Sequence, residues 1–369
     1  MSNSAESPMQ SPMQSHIHAH IQAHGGWIAF DDFMAHALYA PNLGYYSKGN
    51  PIFGAMPHKD GSDFVTAPEI SPLFGQTVAR QIAQALAATG TDEIWEFGAG
   101  TGALALQILD ALDAMGVAVR RYTIVDLSHP LKERQRETLK THAARLEWVS
   151  ALPETIHGVV VGNELLDAMP VKLLARVNGV WNERGVAIHE NNLMFADKET
   201  DLRPPVEISG NHDYLTEIHP QTEAFMRTLA EHLGKGAIFL LDYGFPEAEF
   251  YHEQRITGTL MCHRAHKMDD NPLEYVGEKD ITAHINFTGI ALAGQDSGLE
   301  VLGYTNQAYF LLNCGFADAL QAASRTERVA AQKLIFEHEM GEFFKVIGFT
   351  KGDYWEAMGF TQGDKTHRL

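Results

Sequence analysis

One junction constrains this chain more than any other: EIWEFGAGTG, residues 93–102, in which a buried strand pattern (93–97) runs directly into glycines at 98, 100 and 102. Glycines at a strand-to-helix turn let the backbone bend tightly and approach a ligand with no Cβ in the way. The helix that follows, GALALQILDALDAMG (102–116), offers free N–H groups and the positive end of its dipole. The alternation then continues. RRYTIVDL (120–127) reads as a strand, HPLKERQRETLKTHA (129–143) as a helix with Pro130 at its start, LEWV (146–149) as a short strand and GVVVGNE (158–164) as a strand buried on both faces. Strands alternating with helices predict an α/β fold with a doubly wound, Rossmann-like parallel sheet.

The rest of the chain is read around that unit. Residues 1–24, rich in Ser, Gln, Met and His, are expected to form a mobile tail. Within it HIHAHIQAH brings His16, His18, His20 and His24 together; a metal site is conceivable, but no Cys or carboxylate accompanies them in the run, and no metal is expected. Residues 25–90 are an N-terminal helical extension, with helical periods at 27–39 and 73–89, the latter ending at Gly90, and a loop-like segment, GSDFVTAPEISPLFG (61–75), that covers the cofactor. The core is assigned to 91–170 plus 219–369, with a strong strand AIFLLDYG (237–244), a helix near 317–338 and a last strand FFKVIGFT (343–350). Between them, 171–218 is expected to be an inserted antiparallel β subdomain with turns at Asn178–Gly179 and Asn191–Asn192.

Which ligand the glycine loop serves is decided by its neighbours. GAGTGA suits both dinucleotide and methyltransferase patterns. Glu96 stands two residues before Gly98; a carboxylate there would repel a pyrophosphate but helps to hold an ammonium. S-adenosylmethionine carries an ammonium and a sulfonium and no phosphate. Asp126, at the end of the second strand, is placed to accept hydrogen bonds from a ribose diol, although an acid before Ser128 and Pro130 also reads as a helix start. Glu96, Gly98, Gly100, Gly102, Asp126 and Ser128 are the candidate cofactor residues.

Charge and cysteine content narrow the partners. The chain holds 28 Lys and Arg against 47 Asp and Glu, a formal net charge of −19, which disfavours sequence-independent nucleic-acid binding and docking on anionic lipid and leaves a basic protein or small cation as natural partner. The two cysteines, Cys262 and Cys314, form no CxxC pattern. With no arginine-rich or secretory leader and no apolar run of about 20 residues, a reducing, cytoplasmic setting without membrane insertion is expected.

WEFGAGTGALA (95–105), GNELLDAMPV (162–171), GSDFVTAPEISPLFG (61–75) and DITAHINF (280–287) occur together and in a set order. Jointly they resemble the MidA family of S-adenosylmethionine-dependent methyltransferases, which includes a mitochondrial complex I assembly factor. The resemblance spans about Trp27 to Gly352 and implies a class I methyltransferase fold with an extra subdomain. It implies methylation of arginine on a partner protein, a respiratory-complex subunit among the candidates. A guanidinium arrives protonated, so carboxylates must orient it and take up a proton. GNELLDAMP follows the fourth strand, whose carboxyl end faces the ligand crevice. Glu164 and, one turn on, Asp167 are therefore the acceptor clamp, with Asn163 beside them; the alternative is a helix cap with Asp167 solvated. Glu69, in the covering segment, and His284, in the alternating DITAHINF, complete the candidate catalytic set, a surface loop and a water-facing edge strand being the bland alternatives. Two other functions stay open: a non-catalytic assembly factor that keeps the fold, and an NAD(P)-dependent oxidoreductase, for which no hydride-transfer constellation is found. A homodimer through the 317–338 helix is compatible with the sequence.

Overall fold

Strand segments that are apolar on both faces must be covered on both faces, and the central sheet follows from that requirement. The computed structural model describes residues 11–48, 65–126, 128–265 and 267–369. The chain enters through helix α1 (Pro12–Ala23), strand β1 (Trp27–Ala29) and helix α2 (Phe30–Tyr39). Strands β2 (Glu93–Phe97), β3 (Arg121–Val125), β4 (Leu146–Val149) and β5 (Ile156–Asn163) begin the main sheet. The chain leaves it through β6 (Lys172–Val177), β7 (Val180–His189), β8 (Asn192–Glu199) and β9 (Tyr214–Ile218), and returns with β10 (Leu233–Phe245). Four short strands follow: β11 (Met261–Arg264), β12 (Lys267–Asp269), β13 (Asp280–Thr282) and β14 (Ile285–Asn286). The sheet is completed by β15 (Glu300–Asn306) and β16 (Phe344–Lys351).

The main sheet runs β15-β16-β10-β5-β2-β3-β4. Strands β2 to β5 and β10 are mutually parallel, and β16 inserts antiparallel between β10 and β15. The chain moves outward from β2 to β4 and restarts on the other side at β5, so the topological switch lies between β2 and β5. Ligands bind at the carboxyl ends of strands at such a switch; here those ends carry the glycine loop and the Asn163–Asp167 turn. One face of the sheet packs Ile94, Val159, Val161 and Phe239 against the helices Leu73–Thr89 and Ala103–Ala114. The other packs Trp95, Val160, Ile238 and Leu240 against Pro220–His232 and Phe287–Asp296. Helix Leu73–Thr89 stops at Gly90, whose φ of +60° makes the left-handed cap that glycine adopts most easily.

A second sheet, β1-β7-β6-β9 with β8 on β7, is antiparallel throughout. One of its turns falls at Asn178–Gly179; the next falls at Glu190–Asn191, one residue earlier than expected, with φ of +48° and +65°. A third, small sheet, β12-β11-β13, is also antiparallel.

Three expectations change. The segment read as a mobile tail is helical from Pro12 to Ala23, capped by a reciprocal Ser11–Gln14 box, and its Met13, Ile17 and Ile21 are buried with Phe33, Leu38 and Val186. An apolar stripe recurring every four residues runs through the histidine-rich segment and was masked by it. Residues 25–90 do not act as one extension: α2 packs with the second sheet, whereas Leu73–Thr89 belongs to the main core. The 317–338 helix is two helices, Phe316–Ala322 and Arg325–Gln332, because Ser324 starts a new one in a capping box with Glu327. In DITAHINF the alternative of a water-facing edge falls away, because Asp280, Ile281 and Thr282 are all buried, on a strand paired with β11.

Candidate active site

A cavity of about 730 Å³ opens at the carboxyl ends of β2 and β5. Of the candidate residues, Glu69, Glu96, Gly98, Gly100, Asp126, Ser128, Asn163, Glu164, Asp167 and His284 line it. Gly102 does not. Its φ of +85° starts the helix Ala103–Ala114, and a Cβ there would meet Gln135 Cα and Leu139 Cδ1 at 3.4 Å, so it is the close-packing glycine of the loop. Gly98 and Gly100 also sit at positive φ, +67° and +51°, where a side chain would be strained as well as in the way.

The loop side of the cavity is held by a polar network. Glu96 is buried, and its Oε2 accepts a hydrogen bond from Tyr122 Oη at 2.8 Å. Burial pushes its carboxyl up to about 8; the charge of Asp126 adds to this and the Tyr122 bond opposes it. Asp126 accepts from the Ser128 backbone N–H at 2.8 Å and from Gln135 Nε2 at 2.7 Å. Gln135 in turn donates to the Gly100 carbonyl at 3.0 Å and accepts from Trp148 Nε1 at 2.9 Å, tying the carboxylate to the loop. The helix-start reading of Asp126 is thus present in one of its bonds. Ser128 makes no side-chain cap, and its Oγ is buried with no partner. Glu69, on the short helix Ala67–Ile70, accepts from Thr101 Oγ1 of the glycine loop.

The opposite side is acidic. Glu164 turns sharply after β5 with φ +49°, its N–H donating to the Leu241 carbonyl at 2.9 Å. Left-handed backbone on a glutamate is a stored strain that surrounding bonds must hold. Asp242, on β10 and fully buried, does so: its Oδ2 accepts from the N–H groups of Leu165, Leu166 and Asp167 at 3.1, 2.8 and 3.2 Å, and its Oδ1 from Tyr243 N at 2.9 Å. Burial raises the Glu164 carboxyl to about 8, with the charge of Asp167 adding, while the Asn163 amide and the Ala67 N–H pull it down. Asn163 Nδ2 donates to Glu164 Oε1 at 3.0 Å. Asp167 is raised to about 6 by burial, against the Tyr243 hydroxyl that donates to its Oδ2. His284 stacks on Phe245 with ring centres 5.3 Å apart and contacts Tyr243 edge-on. Burial, with the nearby Arg255 charge, lowers it to about 4, so it stands neutral. Asn163 Oδ1, Asp167 Oδ1 and His284 Nδ1 are buried without partners, which marks this wall as built for a ligand.

Three contributors were absent from the sequence-based set. Asp242 and Tyr243 sit in the DYG that ends the fifth core strand, where the apolar run drew attention away from the acid. Asp280 was seen only as part of an alternation; it accepts from Tyr46 Oη at 2.9 Å. Tyr46 stacks on Tyr39, ring centres 5.6 Å apart, and Tyr39 Oη donates to the Ala168 carbonyl at 2.8 Å. The N-terminal segment therefore walls the acidic side; its aromatic pair was the available signal.

Asp126→Ala is expected to weaken binding of S-adenosylmethionine by about 1–3 kcal/mol, the usual loss for charge-assisted hydrogen bonds. Calorimetric titration checks this; an unchanged affinity would reduce Asp126 to a helix-start acid.

Residues 77–305 match the family described as "Putative S-adenosyl-L-methionine-dependent methyltransferase". A protein from Burkholderia thailandensis, crystallised with S-adenosyl-homocysteine bound, is 47% identical over 99% of this chain and 100% of its own, with a TM-score of 0.93. The mitochondrial protein arginine methyltransferase NDUFAF7 of Homo sapiens is 26% identical over 79% of this chain and 70% of its own. Its Caenorhabditis elegans homolog is 25% identical over 85% and 80%. Both are named as mitochondrial, so the comparisons lend no support to the cytoplasmic expectation. Among the described residues, no helix is long and apolar enough to cross a membrane.

Proposed function

The chain belongs to this family of S-adenosyl-L-methionine-dependent methyltransferases, and we propose that it methylates arginine on a partner protein. The observation that carries the reading is the sign of the cavity: among its described lining residues are Glu69, Glu96, Asp126, Glu164, Asp167 and Asp280, and no lysine or arginine. Such a wall favours a cation over an anion or a neutral alcohol. The arginine methyltransferase names of the relatives at about a quarter identity point the same way.

The residues present fit the cofactor. The positive-φ Gly98 and Gly100 leave backbone close to the cavity, Asp126 is pre-oriented for a diol, and Ser128 Oγ lacks a partner. Glu96 would face the ammonium. When bound, the cofactor supplies an electrophilic methyl group on a sulfonium. The chain's own residues then position the acceptor. Glu164 and Asp167 orient the guanidinium by paired hydrogen bonds, Asn163 fixes the Glu164 carboxylate, and neutral His284 adds no competing charge. As the guanidinium nitrogen gains its methyl it loses a proton, which a Glu164 carboxylate oxygen accepts.

The raised carboxyls give the reaction a pH dependence. A cationic acceptor binds the ionised forms, so its affinity should rise with pH through about 6 for Asp167 and about 8 for Glu164, and fall as they protonate. Stability without ligand should run oppositely: a carboxyl raised by folding loses stability as pH climbs from its unfolded value toward about 8. The test is incubation of the protein with labelled methyl donor and a lysate, or isolated respiratory-complex subunits, followed by mass spectrometry. Methylated arginine is expected, more at pH 8 than at pH 6. Label found only on uncharged groups or on small molecules would overturn the reading.

A further inference from the structure

The histidine-rich helix carries a second cluster, outside the methyltransferase site. His16 and His20 lie four residues apart on α1, with His24 following at its C-cap, so they share one face. Asp32 and His36 share a face of α2 by the same spacing. The buried stripe Met13, Ile17, Ile21 seats α1 on α2 and brings the two polar faces together at the edge of that contact. His20 Nε2 lies 2.8 Å from Asp32 Oδ2, and His36 Nε2 lies 3.5 Å from Asp32 Oδ1. One ligand atom from each of the three residues lies within 4.8 Å of the other two. Ligand atoms about 2.0–2.1 Å from a tetrahedral ion lie about 3.4 Å from one another, and this cluster reaches that spacing with small rotamer adjustments. The side chains are 20%, 39% and 26% exposed for His20, Asp32 and His36, so an ion reaches them from solvent.

We propose that His20, Asp32 and His36 bind a divalent first-row transition ion, for which Zn2+ is the probe, and that the ion pins α1 to α2. Two imidazoles and one carboxylate suit that class of ion; Mg2+ and Ca2+ prefer all-oxygen sites. The outer contacts match a ligand set. His16 Nε2 lies 2.8 Å from His36 Nδ1, the second-nitrogen bond that orients a ligating histidine with Nε2 toward the ion. Water completes the coordination. The role is structural rather than catalytic, because none of the three residues lines the cavity. It nevertheless reaches the active site: Tyr39, three residues beyond His36 on α2, walls the acidic side.

The inference stands apart from the choice of methyl acceptor, and its test needs no turnover. Untagged full-length protein, stripped with chelator, is titrated with Zn2+ by calorimetry and melted with and without it. A saturable site near one ion per chain and a Zn2+-dependent rise in Tm are expected. His20→Gln and His36→Gln should each lower the affinity by at least about tenfold and abolish the rise, and His16→Ala should weaken it by roughly tenfold as an orienting residue. Asp32→Asn, which keeps size and polarity, guards against a folding defect and should lose the Zn2+-dependent shift while melting near the wild-type value without metal. Binding of equal affinity and stoichiometry in the His20→Gln/His36→Gln double variant would assign the ion to other histidines and overturn the proposal, as would the lack of any saturable site in the wild type.

Discussion

Glu164→Gln is expected to lower turnover on an arginine-containing protein by two orders of magnitude or more, with cofactor affinity nearly unchanged. The substitution keeps the size of the side chain and its acceptor oxygen toward Asn163, and removes the charge and the proton acceptor. A hundredfold loss corresponds to roughly 3 kcal/mol of barrier at about 1.36 kcal/mol per decade, the scale of one desolvated charge-assisted contact to a cation. The separation of the two substrates is what makes the result informative. Glu164 sits after β5 with Asp167, while Glu96, Asp126 and Ser128 border the glycine loop. The variant should also flatten the pH dependence between about 6 and 8, because the group raised to about 8 is gone. Turnover that survives Glu164→Gln on a cationic acceptor would move the clamp to other acids; loss of cofactor affinity would move Glu164 to the other ligand.

Asp242→Ala should damage both stability and activity, although Asp242 is not among the described residues that line the cavity. Removing the carboxylate leaves four N–H groups, those of Leu165, Leu166, Asp167 and Tyr243, without their acceptor in a buried turn. Each such orphan costs about 1–3 kcal/mol. Burial and the neighbouring Asp167 charge already push the Asp242 carboxyl upward, so its own ionisation is costly and offsets part of the loss. A net destabilisation of about 3 kcal/mol or more remains, read as a shift of the urea midpoint at constant m. Asp242→Asn should be milder, since an amide oxygen still accepts the three N–H groups of the 165–167 turn and only the Tyr243 N–H meets a donor. Turnover should fall in the same order, because the left-handed Glu164 relaxes once the turn behind it is released. A midpoint for Asp242→Ala within about 0.5 kcal/mol of wild type would mean that the turn is held by its other packing.

How much of this was legible depends on whether the signal was local. The glycine loop, the valine strand and the helix closing at Gly90 announce themselves within ten or so residues, since strand and helix periods and cap chemistry act over a few positions. The same holds for Glu164 and Asp167, which lie immediately after a strand whose carboxyl end must face the crevice. Local signals misled where two patterns overlapped. The stripe Met13, Ile17, Ile21 shares α1 with three histidines, and polar composition hid a buried face. At 317–338 an unbroken helical period concealed the Ser324 cap.

The sequence by itself determined the parallel sheet, the loop chemistry that selects an adenosine-bearing methyl donor and the acids that follow the fourth core strand. Only the tertiary structure decided how the acidic wall closes. Asp242 reaches the 165–167 turn from 75 to 77 residues away, Tyr39 meets Ala168 across 129, and Tyr46 meets Asp280 across 234. Such pairings follow from which apolar faces bury one another, and a period read along the chain says that a face is buried without saying against what. The same packing made a ligand cluster of His20, Asp32 and His36, which the spacing of histidines alone left without its carboxylate.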